Sequence, residues 1–224
     1  MVGDAAAQDA RVLRVGTLTS IGRALYPAIT DQFAKRQPGW QVELHTYGWG
    51  NPTAGLRDRA ADAAFVWLPI DAAEIETAVL ATERRLVAIS ARHPLADRQS
   101  IEFSEIASEP VAALPASAGP QRDFWLAADA RAGRSPRVAA EVSAADEKFE
   151  IVSFGAAITL LAEGNAGIYS REGIACIPVS GLNPARLAIA WRRGDRRAAV
   201  QDFVQACREA ADTQKAEPTD KPHG

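Results

Sequence analysis

Cysteine and histidine are both scarce in this 224-residue chain. Cys176 and Cys207 are too few for a disulfide framework and lack metal-ligand spacing, which predicts two reduced thiols in a reducing compartment. His45, His93 and His223 show no paired ligand spacing: one falls in a predicted strand, one in a turn and one in the polar tail. Zinc is therefore not expected. There is no nucleophile-elbow pattern and no phosphate-binding glycine loop, and Gly48-Trp49-Gly50 lacks the further glycine of a dinucleotide fingerprint. Acidic neighbours such as Asp146 with Glu147, or Glu83 beside Arg84, read as solvated faces and salt links. Catalysis needs converging groups that move protons, attack or hold metal, so the sequence predicts no catalytic residues, no metal and no cofactor.

Neither sign of charge dominates. A net charge of −3 offers no electrostatic footprint for nucleic acid. The first ten residues, MVGDAAAQDA, carry no basic residue and no long apolar run, so neither a secretory signal nor a membrane span is predicted, and a cytoplasmic protein without a membrane partner is expected. Residues 1–10 and the polar stretch 212–224 read as disordered ends. At 47% hydrophobic residues the remainder can bury a real core, as one large domain or two small ones.

What is present is alternating α/β pattern. Val12-Leu13-Arg14-Val15-Gly16 is a short apolar run ending at glycine, and small hydroxyl residues follow through Ser20 where a helix would start. Ile21, Leu25, Ile29 and Phe33 recur every four residues as one apolar stripe, Gln37-Pro38-Gly39 breaks it, and residues 41–46 alternate polar with apolar. A strand–helix–strand unit of this length closes right-handed with parallel strands. Ligands gather beyond the carboxyl ends of such strands, where helix N-termini present free N–H groups; Thr19 and Ser20 sit there, although Ser20 could simply cap the helix.

Further along, Asn51 and Pro52 predict a short helix to about Arg59. Residues 63–68 form an unbroken apolar run expected of a central parallel strand. Residues 69–78 read as irregular and acidic, 79–89 as a strand, His93-Pro94 as a turn, 101–109 as a helix capped around Ser104, and 110–114 as a strand. The loop 115–120 resembles that after Val15: a strand end, small residues, a hydroxyl, then a helix over 123–131 with Phe124, Trp125 and Ala128 on its apolar side. Strand 137–142, helix 146–153 with Phe149 and Val152 inward, strands 157–161, 174–179 and 187–191, and a last helix after Asp195 complete the pattern.

Together these residues resemble the effector-binding domain of LysR-type transcriptional regulators, over residues 11–211. The landmarks are Leu13-Arg14-Val15-Gly16 leading to the Ser20 helix, the run Leu56-Arg57-Asp58-Arg59-Ala60-Ala61-Asp62-Ala63-Ala64 beside the family's "LrdGelDlA", His93-Pro94-Leu95-Ala96, residues 106–110 beside "dLadeP", and 152–161 beside "VaaGlGialL". Arg59 replaces the usual glycine before the acidic residue. The resemblance implies a type 2 periplasmic-binding-protein-like α/β fold: two α/β subdomains joined by two crossover strands, with residues 11–89 plus 186–211 as the first and 90–185 as the second. The family's N-terminal winged helix-turn-helix is absent from this sequence, which implies a truncated chain that meets DNA only through that missing domain.

Carried over residue by residue, the family's contacts to a small-molecule effector fall on Thr19, Ser20 and Trp49, with Ala116, Ser117 and Ala118 in the facing loop and Asn51 and Phe124 next nearest. Trp49 stands where many relatives have a small hydroxyl residue, implying a smaller, flatter or more apolar ligand, or else a ring that plugs the cleft. The implied assembly is a homodimer or homotetramer, with the surfaces around Tyr26-Pro27-Ile29 and residues 123–129 meeting a partner. The alternatives are a free-standing solute-binding protein of a transporter and an enzyme on the same fold.

Overall fold

In the computed structural model the described residues are 11–19, 21, 25–167 and 171–216. The expected cap Ser20 and the stretches 1–10 and 217–224 lie outside them. In chain order the elements are β1 (Val12–Thr17), α1 (Leu25–Arg36), β2 (Gln41–Thr46), β3 (Ala63–Leu68), β4 (Ile75–Glu83), β5 (Arg85–Ser90), β6 (Ile101–Glu102), α2 (Phe103–Ile106), β7 (Val111–Ala113), α3 (Pro120–Trp125), β8 (Val138–Glu141), α4 (Ala145–Ser153), β9 (Thr159–Ala162), α5 (Glu163–Ala166), β10 (Ile174–Ser180), β11 (Ala185–Arg192) and α6 (Ala198–Ala216).

The first lobe is a five-stranded sheet in the order β2-β1-β3-β11-β4. β1 runs parallel to β2 and β3, while β11 is antiparallel to both β3 and β4. Thus β3 is central, as its apolar run predicts, but parallel on one side only. Its side chains alternate between two buried layers: Ala63, Phe65 and Trp67 join Leu25, Ile29 and Phe33 of α1 and Phe203 of α6, whereas Ala64 and Val66 pack with Leu56 and Trp49 on the other face. The rings of Phe33 and Phe65 meet Phe203 edge-on, with centroids 5.4 and 6.2 Å away. Ile29 is wholly inside this layer. The expected partner surface there therefore reduces to Pro27 and Ala28, which are exposed, and the half-buried Tyr26.

The second lobe is a four-stranded sheet, β6-β10-β5-β9, with the parallel pair β7-β8 beside it. Two crossings join the lobes. One residue, Arg84, separates β4 in the first sheet from β5 in the second, and residues 181–184 carry the chain from β10 back to β11. Arg85, fully buried, ties the crossings together: its Nε donates to Asn183 O at 2.8 Å, its Nη1 to Phe124 O at 2.7 Å, and its guanidinium lies 4.3 Å from the Phe124 ring. Burial pushes that guanidinium pKa down to about 10. Beside it, Gly164 N donates to buried Glu83 at 2.6 Å, and Arg84 pairs with Glu163.

Several local expectations are corrected. Residues 52–59 form consecutive turns instead of a helix, because Ala54, Gly55 and Arg59 hold φ of 46°, 84° and 58°, which no α-helix accommodates. Arg59 occupies the place of the family's usual glycine, and its left-handed backbone accounts for glycine there. The helix expected over 123–131 starts at Pro120 and stops at Trp125, since Ala127 is also left-handed, and a single 3-10 turn, Ala128–Ala130, follows. Strand β4 begins at Ile75, inside the stretch expected to be irregular, by pairing with β11. Helix α6 continues to Ala216, past the expected start of the disordered tail. In place of a helix over 101–109, Ile101 and Glu102 pair with β10 and only one helical turn follows.

That turn is capped by Glu102 and Glu105 instead of by Ser104: the Glu105 carboxylate accepts the Glu102 N–H at 2.9 Å. Glu105→Ala is expected to cost about 1 kcal/mol. For a domain of this size that is a fall of roughly 2 to 4 °C in Tm, readable by calorimetry. Among the described residues no helix is long and apolar enough to cross a membrane.

Candidate functional site: a cavity between the lobes

Loops from both lobes close over one cavity. From the first lobe come Leu18 and Thr19 after β1, Trp49 after β2 and Trp67 in β3; from the second come Leu114 after β7, Gln121 and Trp125 of α3, Lys148 and Phe149 of α4, residues 160–162 of β9 and Asn165 of α5. Its inner chamber measures about 40 Å³. A second depression of about 310 Å³, also bordered by Leu18 and Thr19, lies between residues 46–48 and 143–146.

The lobes are latched across this cavity by groups whose positions follow from their elements. Gln121, in the first turn of α3, is buried and donates from Nε2 to Trp67 O at 2.7 Å and Pro52 O at 3.3 Å. Trp49 N donates to Ser143 O at 3.1 Å. The rings of Trp67 and Trp125 meet edge-on at 5.9 Å, and Trp67 Nε1–H points to Thr19 Oγ1 at 3.5 Å. The Gln121, Trp49–Ser143 and Trp67–Trp125 contacts join one lobe to the other, while the Trp67–Thr19 contact lies within the first.

One charged side chain lies in the lining. Lys148 is 6% exposed, and its ammonium sits 4.1 Å from the centre of the Trp49 ring. Among the described residues no hydrogen bond or ion pair partners that ammonium. Burial lowers its pKa to about 7 from the ordinary 10.5. Asn165, 5% exposed, leaves its buried Oδ1 without a hydrogen-bond partner among the described residues. No His, Cys, Asp or Glu lines the inner chamber, and among the described residues no group of three such side chains could hold a metal ion.

Of the residues singled out from sequence, Thr19 and Trp49 border the cavity together. Asn51 spends its side chain on its own turn, donating to Asp58 at 3.0 Å and accepting from Thr53 and Gly55. Ala116 and Ser117 are exposed and Ala118 is buried in the core beside Leu114. Ser117 does face the loop after β2, since a Cβ added at Gly50 would stand 2.9 Å from its Oγ. Phe124 stacks on Arg85 and Trp125, outside the chamber.

Lys148, Trp67, Gln121, Trp125 and Asn165 were not foreseen as site residues. For Lys148 a signal exists: it precedes Val152 by four residues and so lies on the inward stripe of α4, where a lysine is out of place. Trp67 reads only as strand core, and Asn165 belongs to a single helical turn with no pattern to betray it.

Two α/β lobes, two crossings and a cavity lined from both sides define a ligand-binding domain of the type 2 periplasmic-binding-protein architecture. The chain belongs to the LysR substrate binding domain family, whose model matches residues 6–212. It is 24% identical over 209 residues to the Hca operon transcriptional activator HcaR of Escherichia coli (strain K12), covering 90% of this chain and 69% of the relative. The effector-binding domain of QuiR in complex with shikimate superposes with a TM-score of 0.74 at 15% identity, over 90% of this chain and 97% of that one. The BenM effector-binding domain with its effector benzoate superposes with a TM-score of 0.69 at 21% identity, over 95% and 98%. At such identities the structural likeness establishes the fold. The chain spans about two thirds of the length of the curated relatives it matches.

Proposed function

We propose that this chain is the effector-sensing domain of a LysR-type transcription factor, binding a small carboxylate metabolite between its lobes. The observation that carries the reading is the cavity at the junction, lined by Thr19, Trp49 and Trp67 on one side and by Leu114, Lys148 and Asn165 on the other. A ligand there touches both lobes, so it biases the angle between them by as much as its affinities for the two arrangements differ. Arg84 and residues 181–184 are the flexing points of that motion, and because β5 pairs within the second sheet the first boundary falls at Arg84 instead of the expected 89/90. In the whole protein an N-terminal DNA-binding domain would read out the change, in a cytoplasmic homodimer or homotetramer whose contacts include Pro27, Ala28 and residues 123–129.

The relatives matched are transcriptional regulators, which favours this reading over a transporter's solute-binding protein. The test is a thermal scan against small organic acids. A ligand at a hundredfold its Kd stabilises by about 2.7 kcal/mol, a rise of roughly 5 to 10 °C in Tm. A flat response to every acid, with the tryptophan spectra unmoved, would exclude a carboxylate sensor.

A further inference from the structure

Two polar groups in the chamber lack partners, and both point to the same class of ligand. Most of the lining around Lys148 is apolar, from Leu18, Leu114, Leu160, Trp67, Trp125 and Phe149, and among the described residues the ammonium makes no hydrogen bond to the polar side chains Thr19, Gln121 and Asn165 that also line it. The Trp49 face attracts the charge but satisfies none of its three donors. The side chain would be better served by solvent, yet helix α4 directs it inward beside Phe149 and Val152. Asn165 lines the same chamber with its amide oxygen unpaired. An amide can present either edge by turning about its last bond, so it pairs with a hydroxyl in either sense.

We propose that Lys148 and Asn165 together select a hydroxy acid with one negative charge, the carboxylate on the Lys148 ammonium and a hydroxyl on the Asn165 amide. This rests on the cleft being the effector site. One ammonium in apolar walls neutralises one charge; a phosphate dianion or a dicarboxylate would bring a second, buried and unpaired. Size argues likewise. A chamber of about 40 Å³ accepts the acid head of a ligand, whereas an engineered cavity that takes up benzene is roughly 150 Å³. The body of the ligand then lies past Leu18 and Thr19, in the neighbouring depression that those two residues also border.

Matched probes isolate each group: lactate against propionate, and mandelate against phenylacetate, each pair differing by one hydroxyl, titrated while the indole N–H resonances of Trp49 and Trp67 are followed. The hydroxylated member of at least one pair is expected to bind wild type roughly tenfold more tightly than its partner. Asn165→Leu should erase that preference, and Lys148→Met should weaken every acid that binds by at least about tenfold. Methionine keeps the length and apolar stem, so the variant folds. If Lys148→Met binds the acids as wild type does, or no pair discriminates, the inference falls and the sensor reading stands. If no probe moves either indole in wild type, both fall.

Discussion

Lys148→Met is expected to make the domain more stable at neutral pH while removing its response to acids. The cause is the burial that lowers the ammonium to about 7 from 10.5. Between those values the unfolded chain binds a proton at Lys148 that the folded chain has released, so wild-type stability rises as pH climbs from about 7 to 10.5 and is flat below. The penalty is therefore full at or below pH 7 and gone above 10.5. At 1.36 kcal/mol per pH unit it amounts to about 5 kcal/mol, roughly 10 to 20 °C in Tm for a domain of this size. Lys148→Met removes it, so the variant should melt above wild type at pH 6 and approach it near pH 10.

The same group governs ligand affinity with the opposite dependence. A carboxylate needs the protonated ammonium, so acid binding should weaken above pH 7 by up to about tenfold per unit. Among the described residues no unpaired charge lines the chamber beside Lys148. On α4, Asp146 and Glu150 pair with Arg171, and Glu147 accepts the Ser143 N–H; on α5, Glu163 pairs with Arg84; the lining from the other elements holds no charge. Calorimetry at pH 6, 8 and 10 checks both signs, and a Lys148→Met variant melting below wild type at pH 6 would contradict the stability claim.

Gly16→Ala should be the most damaging single methyl in the fold. Gly16 lies in β1, paired with His45 of β2 and Ala64 of β3. A Cβ there would stand 1.9 Å from the carbonyl oxygen of Ala54 and 2.9 Å from its carbonyl carbon. Both are backbone atoms of a turn held by the Ala54 N–H on Asn51 O and by the left-handed Ala54 itself, so neither can swing aside. Overpacking in a tight core costs about 1 to 3 kcal/mol, and a backbone clash at the first strand lies at the upper end or beyond. Urea unfolding should show the midpoint collapsing, or no folded protein at all. Gly50→Ala is the control: its Cβ would meet only Ser117 Oγ, at 2.9 Å, the tip of an exposed side chain that can rotate away. Near-wild-type stability for Gly16→Ala would contradict this account of the β1 packing.

Where hydrophobic period and burial coincide, the sequence sufficed. The stripe Leu25, Ile29, Phe33 and the run 63–68 placed α1 and β3 because their apolar side chains fill one side of a helix and both sides of a strand, although Ile21, counted on that stripe, stands before α1, which begins at Leu25. It misled at residues 54, 59 and 127, where alanine and arginine hold the left-handed backbone normally marked by glycine, so one helix vanished and another broke. In the site, Thr19 was legible because it follows a strand end, and Trp49 through the family resemblance. Asn165 was not, and Lys148 showed only as a lysine on the inward stripe of α4: what matters is their want of partners, which arises only where segments distant in the chain fold together.

Carbon-13 labelling of lysine and titration of the Lys148 Cε resonance in the ligand-free domain tests that isolation most directly. The account predicts a midpoint near 7, moving upward once an acid is bound. A midpoint at the ordinary 10.5, unchanged by any acid, would mean that the ammonium is solvated and that the lobes enclose no anion site.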